Sequence, residues 1–137
     1  RDSGSMRSNA IAGGLVAIAA MLIWNRAEGA AVPILVSATS NDELGRQLVY
    51  FLKQDIVRSA EFKLVYTMGQ ASYVIGIVSI PSYKNGDTEW STAYSGVLIG
   101  SSGFFFTQEV GVCGRNNIRS CAATLLADFG YLIDKGR

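Results

Sequence analysis

Residues 40–59 read SNDELGRQLVYFLKQDIVRS. Leu44, Leu48, Leu52 and Ile56 recur every four residues, with Val49 and Phe51 beside them, which makes one apolar stripe at helical period. Arg46, Lys53, Gln54 and Arg58 fall on the other side. Ser40 and Glu43 form S-x-x-E, the pattern of a capping box in which hydroxyl and carboxylate each bond the other residue's backbone N–H. Asp42 and Glu43 stand in the first turn, where the helix dipole favours anions. The spacing predicts a helix with one face to bury, and covering about five such side chains is worth on the order of 10 kcal/mol as an upper figure. A helix this one-sided requires a sheet or a second helix to lie on.

The flanking sequence supplies both. Upstream, residues 32–39 (VPILVSAT) form a β-branched run that reads as a first strand. Pro33 cannot donate to a ladder, so this strand is expected to begin late or to lie at an edge. Downstream, residues 62–67 (FKLVYT) read as a short second strand and 68–71 as a turn. Residues 72–80 (SYVIGIVSI) are apolar in both alternating sets, Tyr73, Ile75 and Ile77 against Val74, Val78 and Ile80, as suits a central strand. Pro81 is expected to end it. Asn85-Gly86 is a strong hairpin signal, and residues 88–99 return from it. The GSSG of residues 100–103 makes another turn, and residues 104–112 form the last strand, with Phe104, Phe106, Val110 and Val112 expected on one face. Asn116 or Asn117 then caps a second helix running to about Lys135, with Ile118, Ala122, Leu125, Phe129, Leu132 and Ile133 as its stripe and Gly136 at its C-cap. The order β-α-β-β-β-β-α predicts an α+β domain of two layers: two helices packed on one face of a mostly antiparallel sheet of four to five strands.

Ahead of the domain, residues 1–5 read as an expression-vector remnant before Met6. Residues 6–31 read as an export signal or an N-terminal membrane anchor: Arg7, then the uncharged apolar run 10–24 (AIAGGLVAIAAMLIW), then a polar stretch with small-x-small patterns at Ala27-Glu28-Gly29 and Gly29-Ala30-Ala31. As a helix that run spans about 22 Å, short of a ~30 Å hydrocarbon core. No Cys follows it, so it is not a lipoprotein signal. Residues 32–137 are left as a single domain, and the expected location is periplasmic or secreted, with inner-membrane anchoring if the leader stays uncleaved.

From Ala30 onward nine Lys/Arg balance nine Asp/Glu. A neutral domain without a basic cluster makes a poor nucleic-acid binder, since affinity there comes from several phosphate contacts. The chain has no histidine, which removes His triads and His metal sites. No metal and no cofactor is expected. Cys113 and Cys121 frame CGRNNIRSC; behind an export signal they are expected to form a disulfide, worth about 2.6 kcal/mol in the loop-entropy account. Asp128 with Asp134, or Glu89 with Glu109, are conceivable carboxylate pairs, but their spacing demands none and solvating carboxylates are the commoner case. No catalytic residue is assigned.

The residues expected to touch a partner are Tyr83, Trp90 and Tyr94, around the Asn-Gly hairpin, and Phe105. Aromatics so placed either form a recognition patch or pack cross-strand on the sheet's second face. Two helices cover only one side of the sheet, so Trp90, Tyr94, Phe105 and Thr107 are expected to point to the uncovered side, which leaves a face or edge open to a partner.

Residues 71–78, ASYVIGIV, resemble the A-D-Y-V-V-x-G-x-V strand of bacterial envelope domains, and they follow an S-x-x-F segment, Ser59 to Phe62, as that strand does there. These domains include the TolB N-terminal domain, the curli secretion subunit and LPS-assembly or transport-auxiliary lipoproteins. The resemblance covers residues 33–135 in order of elements; Ser72 stands for the usual acidic residue and Gly76 comes one place early. It implies a non-enzymatic periplasmic domain that docks onto other envelope proteins. A second copy of the chain is a further candidate partner, and contact with the membrane is expected only through an uncleaved N-terminal segment. Two other readings stand beside it: a binder of a small or lipidic ligand between helices and sheet, and an enzyme using Tyr, Lys or Asp in a cleft with perturbed titrating groups.

Overall fold

The structure, a computed structural model, describes residues 29–136. The expected vector remnant and the body of the leader lie outside these residues; 29–31 carry no regular structure. The chain then forms β1 (Val32–Ser40), α1 (Glu43–Arg58), β2 (Phe62–Val65), a 3-10 turn (Met68–Gln70), β3 (Tyr73–Asn85), β4 (Thr88–Gly100), β5 (Phe105–Gly114), a 3-10 turn (Arg115–Asn117) and α2 (Ile118–Lys135).

One five-stranded sheet has the order β2-β1-β3-β4-β5. β1 runs parallel to both of its neighbours, whereas β3–β4 and β4–β5 are antiparallel and are the longer pairings. Both helices lie on one side of it, so the expected two-layer α+β fold is what forms. Leu44, Leu48, Leu52 and Ile56 of α1 and Ile118, Leu125, Phe129 and Ile133 of α2 are buried against Ile34, Ile75, Ile77 and Leu98 of the sheet. The apolar stripes read from the two helices are therefore the core. Gly130 lets α2 approach the Phe62 ring, which would lie 3.1 Å from a Cβ at that position.

Four local expectations need correction. Ser40 is the last residue of β1 and its hydroxyl is buried without a hydrogen-bond partner; Asp42, not Ser40, caps α1, its carboxylate accepting from the Gly45 N–H at 3.1 Å. A carboxylate is the stronger acceptor for helix-terminal N–H groups, and here it also accepts from the Ser79 hydroxyl at 2.8 Å. Pro33 sits inside β1, which is not an edge strand; pairing with β3 begins only at Ile34, so the missing N–H falls where that neighbour has not yet started. Pro81 does not end β3, which runs on to Asn85 through a bulge at Pro81 and Tyr83, beyond the point where β1 stops pairing at Ser79. Asn117 precedes α2 but makes no side-chain cap bond.

The Asn85-Gly86 hairpin forms as read, with Gly86 at φ +61°. Cys113 and Cys121 are joined, Cα to Cα 6.4 Å, stapling the end of β5 to the first turn of α2. Reduction is expected to lower unfolding stability by about 2.6 kcal/mol, and thiol alkylation should find no free cysteine before reductant is added; alkylation of both cysteines in the untreated protein contradicts the bridge. Asp42→Ala is expected to cost about 1–2 kcal/mol in urea unfolding, because it strands both the Gly45 N–H and the Ser79 hydroxyl, whereas Asp42→Asn retains most of the cap.

Candidate docking surface

The two faces of the sheet differ sharply. On the helix side, alternate residues of β3 to β5 meet the core: Ile75, Ile77 and Ser79; Thr92, Tyr94 and Leu98; and Cys113 at the end of β5. The intervening residues face away from both helices. They are Val74, Gly76, Val78 and Ile80 of β3, Ala93, Ser95, Val97 and Ile99 of β4, and Gln108, Val110 and Val112 of β5. None of these side chains carries a charge. Val110 and Val112 are 72% and 68% exposed, and Val78 and Ile80 are more than half exposed. Val78, Ile80, Ala93 and Val110 bound a shallow apolar depression of about 230 Å³. The polar contact placed on this stretch is Gln108 Nε2 donating to Ser95 Oγ at 2.9 Å. Nearer β2, Leu35, Val65, Ala71 and Val74 form a small second cluster under the 66–72 crossover, which covers only that corner.

The sheet's two edges also differ. β2 is four residues long and carries Lys63, which blunts it. β5 is a ten-residue outer strand with neither Lys nor Pro. Such an edge offers backbone N–H and C=O groups to an added strand.

The residues singled out from sequence do not form one patch. Tyr83 and Trp90 are exposed at the Asn85-Gly86 end. Phe105 is exposed at the opposite end, paired with Ile99. Tyr94 is only 9% exposed and turned toward the helices, and Thr107, paired with Leu98, shares that side. The expectation that Tyr94 and Thr107 face away from the helices is thus corrected. The Tyr94 ring lies beneath β5, where a Cβ on Gly111 would come within 2.7 Å of its hydroxyl, so Gly111 is the residue that admits it. The expected single stripe of Phe104, Phe106, Val110 and Val112 is split by a register shift between Leu98 and Ile99: Phe106 packs on Tyr73 with ring centroids 5.5 Å apart, while the two valines face outward. Val78, Ile80, Val110 and Val112 were absent from the sequence-based site. The double-sided apolarity of β3 was the available signal, but it suits a buried central strand as well as an uncovered one.

The acidic residues are arranged otherwise than their spacing suggested. Glu89 is buried and accepts from the Leu44 N–H at 3.1 Å, so it serves the start of α1 rather than solvent; Arg115 Nε bonds its backbone carbonyl at 2.7 Å. Glu109 of β5 meets Asp128 of α2, a pair that neither spacing had proposed. Burial first, then a hydrogen bond and charge repulsion from Asp128, hold the Glu109 carboxyl above the usual carboxylate range. Burial, followed by the charges of Glu109 and Asp128, likewise pushes the Tyr94 hydroxyl up. Among the described residues no group of three or more His, Cys, Asp or Glu could hold a metal ion, and no helix is long and apolar enough to cross a membrane.

No protein-family model matches the chain, and no curated protein matches it. Solved structures share its fold. A protein from Xanthomonas campestris assigned to the family DUF330 superposes with a TM-score of 0.60 at 7% identity, over 77% of this chain and 87% of its own. PelC from Paraburkholderia phytofirmans, solved as a dodecamer, superposes with a TM-score of 0.51 at 17% identity, over 72% of this chain and 84% of its own. That structure is of a single-residue variant; PelC without the substitution, also a dodecamer, gives 0.51 at 18% identity, over 71% and 83%. The chain is thus similar in fold to these bacterial α/β domains.

The Glu109 site makes stability depend on pH with a definite sign. A carboxyl whose folded-state pKa is raised stabilises the fold most below its ordinary pKa, about 4.3, and that contribution is lost as pH rises through the elevated value. Glu109→Gln is expected to flatten the fall in urea midpoint as pH rises above the ordinary Glu value; an unchanged pH profile in the variant contradicts the pairing.

Proposed function

We propose that this domain is a non-catalytic accessory subunit of a bacterial envelope secretion or transport assembly, docking on protein partners through the uncovered face of β3–β5 and the free β5 edge. The observation that carries this reading is the run of exposed, uncharged side chains from Val78 and Ile80 to Val110 and Val112 on a sheet whose other face is fully served by two helices. Contiguous exposed apolar surface is uncommon on a solitary domain and characteristic of contact sites. The ASYVIGIV strand supports an envelope setting by its resemblance to the TolB-like and lipoprotein-like domains. The likeness in fold to PelC, which was solved as a dodecamer, supports including further copies of this chain among the partners.

The ligand-groove reading has less behind it. The space between helices and sheet is filled by side chains such as Leu48, Leu52, Leu125 and Phe129, all nearly inaccessible. A depression of about 530 Å³ opens instead at the sheet edge, where Asp55 of α1, Glu61 and Phe62 at the start of β2, and Leu126, Gly130 and Asp134 of α2 meet on its lining.

Val110→Lys with Val112→Lys tests the docking reading. Both side chains are exposed, so unfolding stability should move by no more than about 0.5 kcal/mol. Partner cross-links formed in intact cells, and any concentration-dependent sedimentation of the purified chain, should be lost. Undiminished cross-linking and sedimentation in the doubly substituted protein count against this face as the docking site.

A further inference from the structure

At one end of the sheet the chain enters and a bare aromatic turn stands beside it. Ser101 N donates to Ser72 O at 3.0 Å, and Ser72 N donates to Pro33 O at 2.9 Å. The β4–β5 turn is therefore tied, through Ser72, to the first residues of the domain. That turn reads GSSGFFF over residues 100–106, with Gly103 at φ +86°. Phe104 is 66% and Phe105 56% exposed, and the Phe106 ring backs onto Phe104 at 5.3 Å. No charged residue occurs between Glu89 and Glu109. Exposed Tyr66 and Met68 lie on the neighbouring 66–72 crossover.

Both helices also end here. The Val32 N–H bonds the Glu61 carbonyl just beyond α1, and a Cβ at Gly136 would lie 3.7 Å from the Tyr73 hydroxyl. In sequence, only residues 25–30 separate Val32's neighbour Ala31 from the apolar run 10–24. Six residues reach at most roughly 20 Å. Any bilayer that holds the apolar run therefore lies within reach of this end.

We propose that this end faces a lipid bilayer, with Phe104 and Phe105 entering its interfacial region. Aromatic side chains on a protruding, charge-free Gly/Ser turn suit the headgroup–acyl boundary, where rings are favoured and no concave partner is needed. A protein partner of the kind proposed above would use the flat valine face instead, which lies along β3–β5 rather than at their tip. Arg58, Lys63 and Lys135 at this end stand against Glu61 and Asp134, which leaves one net positive charge, so insertion rests chiefly on apolar burial rather than on attraction to anionic lipid. The domain thus touches the membrane by a second contact besides its N-terminal segment.

The test is hydrogen exchange on the full chain with vesicles of phosphatidylcholine alone and of phosphatidylethanolamine with phosphatidylglycerol. Amides 101–106 should exchange about tenfold more slowly on both vesicle types, with little change at the Asn85-Gly86 hairpin. Raising salt should leave the effect in place. Phe104→Ser with Phe105→Ser should abolish the slowing while the chain still floats with the vesicles through its N-terminal stretch. The proposal is overturned if the chain fails to float, if it floats with 101–106 exchanging at the lipid-free rate, or if the slowing survives the double substitution. It is equally overturned if the slowing appears without lipid as protein concentration rises, which marks a contact between copies. Cross-linking lost through Val110 and Val112 reports on the protein-docking face, so either reading can fail alone.

Discussion

The buried carboxylate of Asp42 is the constraint on which the layer structure depends. It is 1% exposed, caps the first turn of α1 and accepts the hydroxyl proton of Ser79 in β3. A buried polar group is tolerable when it is hydrogen-bonded, and each Asp42 carboxyl oxygen here accepts one donor. Glu89 adds a second acceptor at the same helix end, reaching from β4 to the Leu44 N–H. The helix start is thereby pinned to two strands rather than merely laid on them. Gly45 follows from this: a Cβ there would fall 1.8 Å from the Ser79 hydroxyl oxygen, so only glycine lets the first turn come so close.

Once α1 is pinned and α2 is stapled beside it by the disulfide, the helix side of the sheet is fully occupied. What remains on the other side is determined by β3, whose alternate residues are apolar in both sets. One set completes the core. The other, with its neighbours on β4 and β5, is met among the described residues only by the 66–72 crossover at one corner. The same strand thus supplies the hydrophobic stabilisation of the domain and the apolar surface that water would rather not wet. An uncharged face suffers no electrostatic repulsion from an apolar partner, a second copy included.

The surface is further divided along the strand direction. The Asn85-Gly86 end gathers Lys84, Asp87, Glu89 and Arg115, whereas the other end gathers the chain entry and the GSSGFFF turn. Between them, Glu109 and Asp128 join the outer strand to α2 by a contact that titrates. β5 is therefore held on its inner side by β4, the bridge and a proton-sensitive pair, while its outer edge pairs with no other strand among the described residues.

The sequence alone determined whatever depends on periodicity and on near neighbours. Both helical stripes, the element order, the Asn-Gly hairpin and the bridged cysteines were legible, because three- and four-residue spacing and turn chemistry act over short stretches of chain. Which residues share a face across strands was not legible. One register shift near Ile99 sends Phe106 toward Tyr73 and leaves Val110 and Val112 outward, and no local rule places that bulge. Nor does any local pattern choose Asp42 over Ser40 as the cap, since Ser79 and Glu89, far along the chain, decide it. Tyr94 shows the same limit: only the tertiary packing of α2 over β4 and β5 turned its side inward and left the valine face to solvent.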